Sequence, residues 1–329
     1  MVQLFLSLKL LLLFFGLELS AQLDTKHWMP PFFAKSETNS GTSDIRDHFV
    51  NLSTPAEETI PVVIRDGFQE VLDTVWISRE MPMRYDLLPQ ANMTGNPATS
   101  DYPFNVVPRD SLNMPIRSQG LYFESFQPFF VNVRHKSGSQ GLSLTSKGQV
   151  GLGTEFYTGH IYTIRNNSNF WNTDRRSHFI SVMATEDNTV VTIDMIIDPI
   201  LLIGQETQGE PVTVTLDAFE SYVVGVDHND LSNEDINNLN GTRVTSDKPI
   251  VCNSGSWLSG NNQGQCIGAD QLVTAEVTGQ EYIVVRGLGN ETTERPCVIA
   301  IEDGTDIFLY DETDPIATLD QGEFYFIET

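Results

Sequence analysis

The side chains best suited to chemistry in this chain are its histidines and cysteines, and their spacing matches no catalytic or metal-binding motif. The sequence contains no His-Glu-x-x-His or Cys-x-x-Cys pair, no Gly-x-Ser-x-Gly elbow, and no Walker or dinucleotide loop. His48 and His178 each stand directly before a Phe in similar segments, which indicates a structural role at the entry to a strand. We therefore predict no catalytic residue, no bound metal and no cofactor. A metal site or a carboxylate pair assembled from distant segments is the alternative.

The cysteines predict one disulfide bond. Cys252 and Cys266 flank a polar stretch rich in Ser, Gly, Asn and Gln, and in an oxidising compartment three cysteines form one bridge and leave one thiol. Closing a loop of about 15 residues would contribute roughly 3 kcal/mol on the chain-entropy model. Cys297, at the start of an apolar run, is then predicted to be an unpaired and buried thiol.

Three aromatic residues stand in polar stretches and are candidate ligand contacts. Phe170 and Trp171 lie in the Asn-rich segment 166–174, and Trp257 lies between the two flanking cysteines. A flat ring offers a large contact area at low entropic cost, so exposed rings suit a glycan or a protein ligand. The alternative is that these rings fold back and fill gaps between structural units.

Two acidic segments predict equivalent turns. Residues 186–189 (Glu-Asp-Asn-Thr) and 302–305 (Glu-Asp-Gly-Thr) each stand between apolar runs. Asn, Asp and Gly tolerate the positive φ that a type I′ hairpin turn requires at both central positions. A calcium site is the alternative, although an EF-hand or a nonapeptide repeat would supply more oxygen ligands at fixed spacing.

The elements that position these residues are all predicted to be strands. Apolar runs of strand length alternate with turn residues along the chain, and no window has a sustained helical period. We predict an all-β chain built of tandem four-stranded antiparallel meander units with propeller-like stacking. Tandem β-sandwiches are the alternative.

The chain contains an internal repeat. Residues 241–253 match residues 120–132 at their Gly, Ser, Pro and Asn positions, and a weaker copy begins at His48. Changes of loop length between copies are expected of duplicated units. We predict an N-terminal β unit with a linker at 22–115, a first repeat unit at 116–240, and a second repeat unit at 241–329 that looks truncated at its C-terminus.

Export is predicted from segment 1–21. Residues 4–19 are apolar and small residues follow them through Ala21, as in a secretory signal peptide. An uncleaved N-terminal anchor is the alternative. We expect a secreted or cell-surface protein with no membrane insertion after signal cleavage, and the net charge of −25 argues against nucleic acid as a partner.

The repeat residues carry a family resemblance. Segments 241–251, 267–273 and 279–287 resemble the N-terminal domain of IgGFc-binding proteins. Segments 24–31 and 181–189 also have counterparts in the version found at the front of large secreted or surface proteins of gliding-type Bacteroidetes. The resemblance implies an exported, adhesin-like protein. The two flanking cysteines depart from the bacterial version, in which other residues are expected.

Recognition is the function that these observations favour. We predict a secreted or cell-surface, non-enzymatic module, the N-terminal part of a larger surface protein, which binds an extracellular glycan or protein through its loops. A propeller-type carbohydrate-active enzyme is one alternative, and it would need a convergent carboxylate pair or a metal in a central depression. A structural spacer without a ligand is the other.

Overall fold

Strands make up nearly all of the regular structure. The computed structural model describes residues 22–33, 45–87, 105–137, 140–164, 176–227, 231, 235–260, 266–285, 295–310 and 312–327. The strands are β1 (Asp24–Met29), β2 (Phe32–Phe33), β3 (Ile45–Ser53), β4 (Ile60–Asp66), β5 (Val71–Ile77), β6 (Met83–Asp86), β7 (Val106–Val107), β8 (Leu121–Ser137), β9 (Gln140–Thr145), β10 (Leu152–Tyr157), β11 (Ser177–Ala184), β12 (Thr189–Asp194), β13 (Val212–Leu216), β14 (Ser221–Asp227), β15 (Arg243–Ser259), β16 (Cys266–Gln271), β17 (Cys297–Ile299), β18 (Thr305–Ile307), β19 (Ala317–Leu319) and β20 (Phe324–Phe326). Short 3-10 turns are the only helical elements in these ranges, so the all-β prediction is confirmed. The described residues include no helix of the length and apolarity that a membrane span requires.

Two sheets repeat the same topology. In the first, the order is β5-β4-β8-β3-β6, and β1 and β9 also pair with β8. In the second, the order is β13-β12-β15-β11-β14, and β10 and β16 also pair with β15. Each strand of the first sheet thus has a counterpart at the same place in the second. We call the first set unit 1 and the second set, β10–β16, unit 2.

A long central strand holds each unit together. β8 and β15 have 17 residues each. One edge of β15 pairs first with β12 and then with β11, and its other edge pairs first with β10 and then with β16. Because one strand serves four neighbours, each sheet is nearly closed and barrel-like. This arrangement corresponds more closely to the predicted sandwich alternative than to open propeller blades.

The repeated proline marks the place where the central strand changes partners. Pro128 lies between the residues that pair with β4 and those that pair with β3, and Pro249 lies between the β12 and β11 ladders. Proline has no backbone N–H, so at a position where the ladder is interrupted no ladder hydrogen bond is lost. In each unit a threonine hydroxyl donates to the proline carbonyl oxygen over 2.7 Å, from Thr54 in unit 1 and from Thr185 in unit 2.

The predicted unit boundaries differ from this topology. The matching segments that begin at Gly120 and Gly241 are the two central strands, which come late in their units. Boundaries at 115/116 and 240/241 therefore fall inside the two sheets, each just before the strand that completes it. A match between two segments shows that they are equivalent, and it does not show where a unit begins.

A third, partial unit follows unit 2. β17 pairs with β20 and β18 pairs with β19, as β11 pairs with β14 and β12 with β13. The turn contacts repeat as well. The Asp187 carboxylate accepts the Ala218 N–H over 3.0 Å, and the Asp303 carboxylate accepts the Gln321 N–H over 3.0 Å. We call β17–β20 unit 3.

The two acidic turns are equivalent, as predicted, but they are neither hairpin turns nor of type I′. Each joins two strands that pair with other partners, β11 with β14 and β12 with β13 in unit 2, and β17 with β20 and β18 with β19 in unit 3. Only the second central residue has a positive φ, 55° at Asn188 and 68° at Gly304, whereas a type I′ turn needs a positive φ at both. The carboxylates of the preceding Asp residues accept backbone N–H groups instead. Their observed role is therefore to fix the turn.

Part of unit 2 packs into the hydrophobic core of unit 1, while unit 2 also has a core of its own. Phe179 and Trp257 of unit 2 pack among the buried side chains of unit 1. At the rim of this interface, Arg117 Nε donates to Glu220 Oε1 over 2.7 Å, and Arg117 Nη2 donates to Asp217 Oδ2 over 2.8 Å. Apolar contacts and ion pairs therefore both hold the two units together.

Histidines are part of the buried structure. The Nδ1 atoms of His48 and His135 lie 3.0 Å apart across β3 and β8, and the His135 ring packs against the Trp257 indole. Burial holds the pKa of His135 well below its usual value and lowers the pKa of His160 to about 4. The His135 and His160 rings are therefore neutral at pH 7.

Acidification is expected to destabilise the fold through His160. Its pKa is about 4 in the folded chain and about 6.5 when unfolded, so between these values the unfolded state binds more protons. The stabilisation is complete above about pH 6.5 and is lost as the pH falls toward about 4. The free energy of unfolding, measured with urea, should fall between about pH 7.5 and about pH 5. This fall should be roughly 1 to 3 kcal/mol larger for the native sequence than for His160→Gln. Equal losses in the two proteins would contradict the assignment.

Two glycines with positive φ provide a test of the contact between units 2 and 3. A Cβ on Gly241 would overlap with the carbonyl oxygen of Gly322, whereas a Cβ on Gly304 would have nothing within 4 Å. We expect Gly304→Ala to cost about 1 kcal/mol for the left-handed backbone alone. Gly241→Ala should cost about 1 to 3 kcal/mol more, because backbone atoms must move. Urea unfolding measures both, and equal costs would show that this contact is not formed.

Candidate functional site

The predicted ligand contact at Trp257 is wrong. Trp257 lies in the second part of β15 with only 2% of its surface exposed, and it packs into the hydrophobic core of unit 1. The alternative, in which this ring fills a gap between units, is what the structure shows. The other two candidate rings, Phe170 and Trp171, lie outside the described residues.

The predicted disulfide bond is absent. Cys252, Cys266 and Cys297 are all free thiols. In the β15–β16 ladder, Cys266 lies opposite Ser259, whereas Asn253, the neighbour of Cys252, lies opposite Gln271. The two thiols are thus separated by most of the length of the ladder. The polar stretch predicted to be a loop consists mainly of the two strands of a hairpin, and this keeps the cysteines apart.

A run of exposed apolar side chains precedes unit 3. Tyr282 is 68% exposed and Ile283 is 90% exposed. A shared Gly-x-Glu-aromatic pattern makes segment 279–285 the counterpart of β10. In β10, Phe156 at the place of Tyr282 is 0% exposed, because β10 pairs with the central strand β15. Exposed apolar runs of this kind mark interaction sites.

Both strand pairs of unit 3, β17–β20 and β18–β19, also have open edges. In unit 2, β11 pairs with β14 and β12 pairs with β13 on one side, and both pair with β15 on the other. In unit 3, β17 and β18 belong to separate two-stranded sheets, and the described part of the chain supplies no strand on their second side. Ile307, the counterpart of the buried Val191, is accordingly only partly buried. We call segment 279–285 and the free sides of β17 and β18 the open edges of unit 3.

A cleft of about 430 Å³ lies between units 2 and 3. Its floor consists of small residues of β15 and β16, and its walls come from the segment after β10 and from the start of unit 3. The lining residues are Gly159, His160, Ile161, Tyr162, Ser254, Gly255, Ser256, Gly268, Ala269, Asp270, Arg295, Cys297 and Ile299. We call this the interunit cleft.

The surface equivalent to the cleft floor is covered in unit 1. Ser256 holds the place in β15 that His135 holds in β8, since His178 Nδ1 lies 2.9 Å from Ser256 Oγ as His48 Nδ1 lies 3.0 Å from His135 Nδ1. The Trp257 indole of the following unit packs on His135, with 5.3 Å between ring centroids. The central strand of one unit thus covers the preceding unit.

The charged groups of the cleft are suited to binding. The Arg295 guanidinium lies over the Tyr162 ring, 4.6 Å from its centroid. This is the geometry of a cation–π contact, and it leaves a flat, positively charged surface. In β16, the Asp270 carboxylate accepts a hydrogen bond from Lys147 Nζ over 2.8 Å. The cleft therefore offers both charge signs around a floor of small residues.

The groups in the cleft that could act as nucleophile or base are held in unreactive forms. Burial raises the pKa of the Cys297 thiol to about 12, so it stays protonated at pH 7. Burial also lowers the pKa of His160 to about 4, which makes it a weak base. In the described ranges, no group of three or more His, Cys, Asp or Glu side chains is arranged to hold a metal ion.

Comparison with known protein families identifies a match. A family model described as IgGFc binding protein matches residues 142–329. This range covers more than half of the chain and includes all of units 2 and 3. No curated protein and no solved structure matches the chain.

Thiol labelling is expected to find three free cysteines of unequal reactivity. Cys266 is exposed and should react with a maleimide in the folded protein. Cys252 is buried, and burial raises the pKa of its thiol, so it should react only after unfolding. Mass spectrometry counts the labelled cysteines after reaction in buffer and after reaction in denaturant. A Cys252–Cys266 peptide in a non-reduced digest would contradict the structure.

Proposed function

The chain belongs to the IgGFc binding protein family, and we propose that it is a recognition module outside the cell that binds a protein ligand through the open edges of unit 3 and the adjoining interunit cleft. The observation that carries this proposal is the exposure of Tyr282 and Val284, whose counterparts in unit 2, Phe156 and Thr158, are buried. Apolar surface beside unpaired strand edges is what a protein partner can cover.

Binding without chemistry is the role that the cleft favours. The Cys297 thiol is protonated and the His160 ring is a weak base at pH 7. Neither group therefore has the pKa that nucleophilic or general-base catalysis needs. Family membership points the same way, since the family is one of binding proteins.

The family and the sequence support a location outside the cell. The predicted signal peptide at 1–21 would direct export, and the net charge of −25 keeps the surface soluble. Location at the cell surface and a role in adhesion are part of this proposal.

A glycan is the second candidate ligand. The cleft is lined by the Tyr162 ring, the Arg295 guanidinium and the Asp270 carboxylate. An aromatic face with polar groups around it suits a sugar ring. The two candidates differ in the surface they use, the glycan in the cleft and the protein mainly along the open edges.

The Fc fragment of IgG is the first probe, because the family's name supplies it. We expect Fc to bind the chain and Tyr282→Asp to weaken binding at least about tenfold, since a charge would enter the apolar contact. Tyr310→Asp is the matched control, because Tyr310 is 99% exposed and lies in the turn of the β18–β19 hairpin. Surface plasmon resonance with both variants makes the comparison.

Deglycosylated Fc and a glycan array separate the two ligand classes. Equal binding of glycosylated and deglycosylated Fc supports a protein ligand. Binding that is lost on deglycosylation, or glycan-array binding that Tyr162→Ala removes, would favour the glycan. If neither Fc nor any glycan binds, or if the two Asp variants behave alike, the proposed site is wrong.

A further inference from the structure

We propose that unit 1 binds an acidic polysaccharide on the outer side of the sheet formed by β6, β3, β8 and β9. Phe49, Arg84 and Arg134 lie on this side, which we call the polar face. Most of it precedes residue 142, where the family match begins. The polar face is separate from unit 3 and from the interunit cleft, so this inference does not rest on the proposed function.

The equivalent face of unit 2 is buried against unit 1. Phe179 of β11 pairs with Gly225 on one side and with Gly255 on the other. Its ring packs on Phe32 of β2 with 6.4 Å between ring centroids, and a Cβ on Gly225 would come within 3.3 Å of the Phe33 ring. Small residues on this face therefore allow β2 of unit 1 to pack closely on the sheet of unit 2.

The polar face has charged residues at the places of these two glycines. Phe49 holds the place of Phe179, and it pairs with Asp86 and Arg134. Both charged side chains are exposed. A unit that packed here as unit 1 packs on unit 2 would bury both charges, which is costly. The polar face is therefore suited to water and to polar ligands, as the outer surface of a capping repeat is.

One set of side chains on the polar face is held in place by hydrogen bonds and stacking. The Arg84 guanidinium lies over the Phe49 ring, 3.7 Å from its centroid. Arg84 Nε donates to Asp86 Oδ1 over 2.7 Å, and Arg84 Nη2 donates to Asp47 Oδ1 over 3.3 Å. Groups that are fixed before binding lose less conformational entropy when a ligand binds.

A second hydrogen-bonded network crosses β8 and β9. Arg134 Nε donates to Asn132 Oδ1 over 2.7 Å. Asn132 Nδ2 donates in turn to Thr145 Oγ1 over 2.8 Å and to Ser143 Oγ over 3.1 Å. Asn132 thus orients the Arg134 guanidinium, whose Nη groups stay available for a ligand.

Two positive charges on the polar face have no carboxylate partner. Arg134 and Lys136 lie two residues apart on the same side of β8, which places them about 7 Å apart along the strand. In the described ranges neither forms an ion pair, whereas Arg84 is balanced by Asp47 and Asp86. A guanidinium binds a carboxylate or a sulfate through two parallel hydrogen bonds. The ligand should therefore carry such anionic groups.

The rest of the polar face favours a hydroxyl-rich ligand over a protein. Asn51 and Ser143 are exposed, and both side chains can donate and accept hydrogen bonds. Among the described residues of this face, none is an exposed large apolar side chain, since Arg84 covers Phe49. Protein interfaces are centred on apolar and aromatic anchors. A polymer of hydroxyl groups with carboxylate or sulfate groups matches this surface better.

Three sugars serve as probes: a heparin hexasaccharide with sulfate groups, an alginate hexasaccharide with carboxylates, and a neutral dextran oligosaccharide. We expect isothermal titration calorimetry with the whole chain to show binding of an anionic sugar, and dextran should bind at least about tenfold more weakly. The tighter of the two anionic sugars identifies the anionic group. Binding should weaken between about 50 mM and about 500 mM NaCl, because salt screens the charges.

Two variants and a matched control test the site itself. Arg134→Gln and Lys136→Gln should each weaken binding of the anionic sugar at least about fivefold, because each removes one of the unpaired charges. Lys26→Gln is the control, since Lys26 is also exposed but lies on β1, outside the polar face. It should leave the affinity unchanged. All three variants should keep the melting temperature of the native chain, because their side chains are exposed.

Several results would overturn the inference. Equal losses in Lys26→Gln and Lys136→Gln would show that only net charge matters, and binding of poly-glutamate as tight as that of the sugars would indicate an acidic polypeptide instead. Binding of neither anionic sugar would show that the polar face is only a solvated cap. Arg134→Gln should leave Fc binding unchanged, and Tyr282→Asp should leave sugar binding unchanged, so this inference and the proposed function can fail separately.

Discussion

The backbone pairing of one long strand is the constraint on which each unit depends. β15 satisfies the hydrogen-bonding groups of β10, β11, β12 and β16 along its two edges. In unit 3, for which the described residues include no central strand, the equivalent strand pairs form but remain separate two-stranded sheets. Isolated two-stranded hairpins are marginally stable in water. The contact of unit 3 with unit 2, made through Tyr162, Phe326 and the Gly241–Gly322 approach, therefore contributes to its order.

The units are also coupled in series. Trp257 belongs to the central strand of unit 2 but packs on His135 of unit 1. A central strand thus completes its own sheet and covers the unit before it. Stability in such an array comes from each unit and from its nearest neighbour. The same coupling explains why the junction of units 1 and 2 is a closed core, whereas the junction of units 2 and 3 contains a cleft.

Local sequence patterns were sufficient to predict the strands and the equivalence of the two acidic turns. Alternating apolar residues and Asp-Asn or Asp-Gly pairs determine structure over only a few residues. These patterns did not predict the strand in residues 253–260. Ser, Gly and Asn form strand there because β11 and β16 pair with the two sides of β15. That error produced both the predicted disulfide and the predicted exposure of Trp257. The match between Gly279-Gln-Glu-Tyr and Gly153-Thr-Glu-Phe was visible in the sequence. The absence of a strand partner for segment 279–285 was not, because pairing is a long-range property.

An open strand edge invites any extended chain, so selectivity has to come from side chains. Backbone hydrogen bonds supply affinity without regard to sequence, and natural edges limit unwanted pairing with charged residues. The open edges of unit 3 carry Glu281 and Asp306 beside their apolar residues. In unit 2 the strand that covers the equivalent edges is basic there, since Arg243 binds Glu155 and Lys248 binds the Asp187–Asn188 turn. Acidic side chains at an edge therefore favour a strand with basic residues and disfavour one with acidic residues.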